Sequence, residues 1–291
     1  MAESCSNFKN VSNVFNVIDG YFGEQKLSNG LIYDITNGLL HKYCHYGKNR
    51  GNDKCNDYLQ KASSGVIHLL TNLKDTNGLD YDKLAEYAIL WLCYKLNKKS
   101  PYHKTNLNDF YTKHIEKNNY YNNKIKDDDS LSYKEIIDKK KDLMNMSIKE
   151  ILKLYEALKN LCNMYNKCNE NNMDCNKCSE DANKFAGQFK ELIKDSKIIE
   201  VSSYSQMLFT LSNDYDNLKN IYDIKCTNSP PLPMIKTPPS KLIPALSTFS
   251  VIPVFLGIAY KYSLFGIDKL FQRQYLRTKL KKVKKKMKIN I

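Results

Sequence analysis

The residues of this 291-residue chain best able to do chemistry are its nine cysteines. Cys93 stands inside the apolar run ILWLCYKLN and reads as a free core thiol, since cysteine packs as a small hydrophobe. The other eight are Cys5, Cys44, Cys55, Cys162, Cys168, Cys175, Cys178 and Cys226, in or beside polar connecting segments. An even number in such places fits structural disulfides in an oxidising compartment. Eight cysteines can pair in about a hundred ways. Only Cys44–Cys55 is assigned, as a local bridge. The alternative is zinc at Cys175-Asn-Lys-Cys178 with Cys162 and Cys168, but zinc sites of this kind use paired knuckles. One knuckle is present and the histidines are distant in sequence, so disulfides are the expected state. A redox role would need a βαβ context that the sequence lacks.

Catalytic constellations are not found. His41, His45, His68, His103 and His114 fall in no His-Glu-x-x-His motif, and there is no Gly-x-Ser-x-Gly elbow. The glycines are scattered and form no phosphate loop. Asp127-Asp128-Asp129 lacks the alternating ligands and terminal Glu of a calcium loop, so it reads as solvated loop. No enzyme, cofactor or metal is expected.

The elements that would position the cysteines are helices. Ser147-Ile148-Lys149-Glu150 fits a capping box, a hydroxyl at the N-cap with a carboxylate three residues on. Behind it Ile151, Leu154, Tyr155, Leu158, Leu161, Cys162 and Tyr165 recur at three- and four-residue intervals. Residues 80–97 are apolar nearly all round from Leu84 to Leu96, as in a helix at the middle of a bundle. Two further amphipathic runs hold Phe185, Phe189, Leu192 and Ile193, and Met207, Leu208, Leu211, Tyr215, Leu218 and Tyr222. No strand alternation stands out, so the fold class is all-α: a helical bundle with disulfides, then one transmembrane helix and a short basic tail.

Charge and proline set the remaining boundaries. The chain carries a formal +14, yet from Lys261 onward eleven basic residues face one acid, Asp268. The excess is therefore a property of the tail. Only three basic residues are arginine (Arg50, Arg273, Arg277), against a surplus of Lys and Asn that suggests AT-rich codons. That argues against bidentate recognition of phosphate or bases, and no nucleic-acid partner is expected. Prolines 230, 231, 233, 238 and 239 mark a stiff spacer over 227–241. Leu242–Tyr260 has no charge and, as a helix, is roughly 28 Å long, close to the ~30 Å hydrocarbon core. The expected organisation is a Cys-containing ectodomain over 1–226, the spacer, a transmembrane helix over 242–264 and a basic cytosolic tail over 265–291. The positive-inside rule puts the tail in the cytosol and the N-terminal portion outside. The opening MAESCSNFKNVSNVFNV lacks the pattern of a signal peptide, so the span is expected to act as its own insertion signal. Lys279, Lys281, Lys282, Lys284, Lys285, Lys286 and Lys288 are expected to face anionic inner-leaflet lipid, at about 1 kcal/mol per Lys.

Taken together, six segments resemble the Plasmodium interspersed repeat (PIR) family, the variant multigene proteins of vir/cir/yir/bir type in malaria parasites. They are ILWLCYKLN (Ile89–Asn97), LNDFYTKHI (Leu107–Ile115), ALKNLCNMY (Ala157–Tyr165), CNENNMDCNKCS (Cys168–Ser179), LSNDYDNLKN (Leu211–Asn220) and the block Ser240–Met287. In the family the tryptophan helix more often has Ser where this chain has Cys93, which agrees with an unpaired Cys93. The resemblance implies a helical, disulfide-bearing ectodomain, one transmembrane helix and a short basic cytosolic tail. It also implies association with infected erythrocytes and a role in antigenic variation, immune evasion or host-cell interaction. The implied partners are a membrane and a host protein ligand or antibody. No catalytic residues come with it. An Arg-x-Leu-x-Glu/Asp/Gln export pentamer is absent, as is common in the family. An intracellular membrane-anchored scaffold is the alternative.

Overall fold

The computed structural model describes residues 5, 7–26, 32–44, 54–168, 174–194 and 196–236. Helix α1 (Phe8–Asp19) turns Phe8, Val11, Phe15 and Ile18 inward at helical spacing. The described residues are mostly helical, as expected, with one addition: β1 (Phe22–Lys26) and β2 (Ile32–Thr36) form a two-stranded antiparallel ribbon, Phe22 opposite Thr36 and Lys26 opposite Ile32. Strands of five residues give too short a pattern to stand out in sequence. A short 3₁₀ turn, Gly38–Tyr43, leads to Cys44.

The two helices at the heart of the fold begin alike. Asp57 caps α2 (Tyr58–Leu73) and Asp80 caps α3 (Tyr81–Asn97), each carboxylate accepting a backbone N–H three residues on at 2.8 Å. Every residue of α3 from Leu84 to Cys93 is buried, as the all-round apolar run predicts. Trp91 fills the notch that Gly65 leaves in α2, so that a Cβ on Gly65 would run into the indole ring. Short segments follow. Helix α4 (Leu107–Phe110) runs on as a π turn, Tyr111–Ile115, and α5 (Tyr133–Asp138) opens on a capping box, Ser132–Glu135.

The second half is built from longer helices: α6 (Ile148–Cys168), α7 (Cys175–Leu192), a short α8 (Ser196–Ile199) and α9 (Ser202–Lys225). Ser147 and Glu150 start α6 as expected: the Glu150 carboxylate accepts the Ser147 N–H at 2.8 Å and the Ser147 hydroxyl accepts the Glu150 N–H at 3.3 Å. Helix α3 packs against α1, α2, α5 and α6, and α6 carries the core onward to α7 and α9. Electrostatics fasten α1 to α3. Asp19, at the end of α1, pairs with buried Lys95 and, at 2.7 Å, with Lys98. Lys95 also lies 3.8 Å from the centre of the Phe22 ring.

Beyond α9 the chain turns at Cys226–Ser229 and runs extended back along the helix. The Tyr222 hydroxyl donates to the Pro230 carbonyl (3.3 Å) and the Tyr215 hydroxyl to that of Pro233 (2.8 Å), with Leu232 buried between them. The proline-rich segment is thus docked on the bundle as far as it is described, rather than standing off from it. All described residues belong to the compact unit Met1–Pro238. No helix among them is long and apolar enough to cross a membrane. The expected span 242–264 and tail 265–291, with Lys279, Lys281, Lys282, Lys284, Lys285, Lys286 and Lys288, lie outside the described residues.

Two substitutions check this packing. Gly65→Ala forces methyl against a rigid, fully buried ring and is expected to cost about 1–3 kcal/mol in urea unfolding. Gly187→Ala on α7 meets nothing within 4 Å and should be neutral or stabilise by up to about 1 kcal/mol. For Asp19, burial alone would raise the carboxyl pKa, but hydrogen bonds and charge from Lys95 and Lys98 outweigh it and hold it below the ordinary 3.8. Its contribution is therefore complete above the carboxylate range and lost as pH falls from there through the lowered value. Asp19→Asn should cost about 1–3 kcal/mol at neutral pH. The gap between variant and wild type should narrow as pH falls below 3.8.

Candidate functional site

The eight loop-side cysteines are brought together in four pairs: Cys5–Cys162, Cys44–Cys55, Cys168–Cys178 and Cys175–Cys226. Their Cα separations are 5.0, 5.1, 5.9 and 5.9 Å, all within disulfide range. Three of the four meet at one end of the α6–α7 hairpin. Cys162 and Cys168 lie on the last turns of α6, Cys175 and Cys178 on the first turn of α7, and Cys226 caps α9. The local sequence explains the placement. Asp174 is the N-cap of α7 and accepts the N–H groups of Asn176 and Lys177 at 3.1 and 3.2 Å. Those backbone bonds, that of Lys177 first, hold its carboxyl below the ordinary range. With the helix starting there, Cys175 and Cys178 stand one turn apart, each aimed at a different partner. The two cysteines of the Cys-x-x-Cys knuckle therefore do not face each other, and the zinc alternative loses its ligand set to three separate bridges.

Cys93 is a free thiol, fully buried on α3, where burial pushes its pKa up. In the chain-entropy account, closing 157 residues by Cys5–Cys162 is worth about 5 kcal/mol. Closing ten by Cys168–Cys178 is worth about 3.

The histidines take up structural posts. His68 is buried and donates from Nε2 to the Leu39 carbonyl at 2.7 Å, edge-on to Tyr43. Burial lowers its pKa, partly opposed by that carbonyl. His114 is likewise pushed down by burial. His45 lies outside the described residues. His41 needs more thought, because its ring, Cys44 and Cys55 place three ligand atoms within 4.8 Å. The Nδ1 lone pair, however, accepts the Cys55 N–H at 3.1 Å, and the two sulfurs bond each other. In this state the cluster offers a metal no free donor set. Asp127-Asp128-Asp129 is an exposed turn in which the Asp127 carbonyl accepts from Ser130.

One open cleft of about 750 Å³ lies at the other end of the α6–α7 hairpin. Lys149, Leu152, Lys153 and Glu156 of α6 and Gln188, Glu191 and Leu192 of α7 line it at helical spacing, with Asn97 and His103 at its rim. Sequence reasoning overlooked it, since apart from Leu152 and Leu192 the lining residues of α6 and α7 belong to the ordinary polar faces of two amphipathic helices. No nucleophile, base and orienting group come together there.

What these features define is a mostly helical domain stapled by disulfides. The chain belongs to the Plasmodium variant antigen family Cir/Yir/Bir, whose family model matches residues 5–261. The chain is also similar to a solved structure described as that of a Plasmodium PIR protein ectodomain. The two are 32% identical over 80% of this chain and 99% of that one, with a TM-score of 0.49. No match was found among curated proteins.

The thiol arrangement gives a direct check. Without reductant, native protein should resist alkylation completely, and denatured protein should take up one label per chain, at Cys93. A peptide map without reductant should recover the four pairs above, and label at Cys175 or Cys178 would overturn them. Cys5→Ser should also cost more stability than Cys178→Ser, by about 2 kcal/mol.

Proposed function

We propose that the chain is a single-pass membrane variant antigen of a malaria parasite, displayed on or exported to the infected host cell. There its helical ectodomain binds a host protein ligand or is met by antibody. Family membership supports the variant antigen part of this reading. The observation that carries the topology is the placing of the cysteines. All four bridges lie on the N-terminal side of the uncharged run Leu242–Tyr260, and no cysteine follows Cys226. Disulfides persist in oxidising compartments, so that side faces outward. The basic cluster after Lys261 then lies in the cytosol, where anionic lipid attracts it. In this reading ligand binding falls to the outer surface of the helices. The cleft between α6 and α7 is a concave part of that surface and has the volume of a ligand site.

Carbonate extraction combined with protease protection tests the proposal on infected cells. The protein is expected in the carbonate-resistant pellet. In intact cells an N-terminal tag should be digested while a C-terminal tag survives. Carbonate release, or the reverse protection pattern, overturns the topology. Nine free thiols in protein from unbroken cells would instead support a cytosolic, membrane-anchored scaffold.

A further inference from the structure

The four bridges do more than stabilise, because of how their loops tile the chain. Cys5–Cys162 closes one block, with Cys44–Cys55 nested inside it. Cys168–Cys178 and Cys175–Cys226 overlap and close a second. Any peptide bond inside either block is spanned by a disulfide, so its cleavage leaves both halves covalently joined. Between Cys5 and Cys226 the bonds not so spanned run from Cys162 to Cys168. That stretch is the last part of α6, a helix of 21 residues. Met164 and Tyr165 within it are 2% exposed, and the Tyr165 hydroxyl is tied to the Asp214 carbonyl of α9 at 2.6 Å. A protease needs its target locally unfolded and extended. The one unspanned stretch is therefore placed where unfolding disrupts the α6–α9 packing. Exposed turns, where proteases do cut, fall inside the blocks: Asp127–Asp129 in the first, Glu200 in the second.

From this tiling we propose that the domain is built to survive proteolytic nicking as a single covalent particle. As long as the end of α6 stays folded, it can then be detached from the chain beyond only by a cut after Cys226. For a surface antigen this keeps a nicked ectodomain attached and displayed. That consequence rests on the membrane reading above, whereas the covalent tiling does not.

The test uses the full chain with an N-terminal tag and a site for a sequence-specific protease inserted at one of three exposed turns. The positions are between Asp128 and Asp129, after Glu200, and between Asn228 and Ser229. On gels run in detergent without reductant, protein cut at the first two positions should migrate as one species, splitting only when thiol is added. Protein cut at the third should split at once. Adding Cys5→Ser to the first and Cys226→Ser to the second should make each split without thiol. Splitting of either parent without reductant, or failure of either serine variant to split, overturns the tiling. On membranes washed with urea, which frees the proline segment docked through Tyr215, Tyr222 and Leu232, the third cut should release the tag and the first two should retain it. Retention after the third cut and the urea wash, with the gel results intact, would overturn the anchoring reading and leave the tiling standing.

Discussion

Trp91 has one place to go. It sits on a helix buried along most of its length, with its ring fully enclosed, and the space it needs exists because residue 65 of the facing helix has no side chain beyond hydrogen. That fit fixes the distance and register of α2 against α3, and the other elements are arranged around the pair. Helix α1 and the ribbon close one side, where Phe22 stands 6.1 Å from the Trp91 ring centre. Helices α5 and α6 close others. Interiors pack to crystal-like density, so a helix with no exposed face cannot slide to relieve a bad contact.

Charges inside such a bundle act as locating pins. Lys140 is 4% exposed and reaches the Gln206 amide oxygen at 2.8 Å and the Glu86 carboxylate at 3.2 Å. It therefore joins the end of α5 to α3 and α9. A buried ion pair gains little net stability, because desolvation offsets most of its attraction. What it penalises is misplacement, since a different docking of α9 would remove an acceptor from a buried ammonium. Lys95 does the same for α1 through Asp19. The tyrosines use neutral bonds to the same end: Tyr165 to Asp214, Tyr215 to Pro233 and Tyr222 to Pro230 hold α6, α9 and the proline strap in one register.

How much of this was legible in the residues depended on the range of the interaction. Local signals were clear: the Ser147–Glu150 box, the all-round apolar α3 and the amphipathic faces of α6, α7 and α9 are each written within a few turns. Cys93 could be set apart because its neighbours are all apolar. The pairing of Cys175 with Cys226 rather than Cys178 could not be read, since it depends on where α9 ends in space. The ribbon of β1 and β2 escaped notice because five-residue strands carry little periodicity. The docking of Pro230–Pro233 was hidden for another reason. Proline clusters speak of stiffness, and nothing local says that two tyrosine hydroxyls one helix away will accept that stiffness as a partner. The cleft between α6 and α7 leaves no mark at all, because exposed lysines and glutamates look alike whether or not they border a hollow.

The division of labour between inside and outside suits a chain from a variant antigen family. The fold is specified by a central helix, a few buried ion pairs and bridges gathered mostly at one end of the α6–α7 hairpin. Little of that specification falls on the outer rows of α6 and α7. Lys149, Lys153, Glu156, Gln188 and Glu191 face the cleft, and exposed positions of this kind usually change stability by no more than about 0.5 kcal/mol when replaced. Substitutions there alter charge and shape at a concave surface while leaving Trp91, Gly65 and the four bridges untouched. A fold whose stability is settled at its core and at one stapled end can therefore vary the chemistry it presents elsewhere, one residue at a time, without approaching the threshold at which it unfolds.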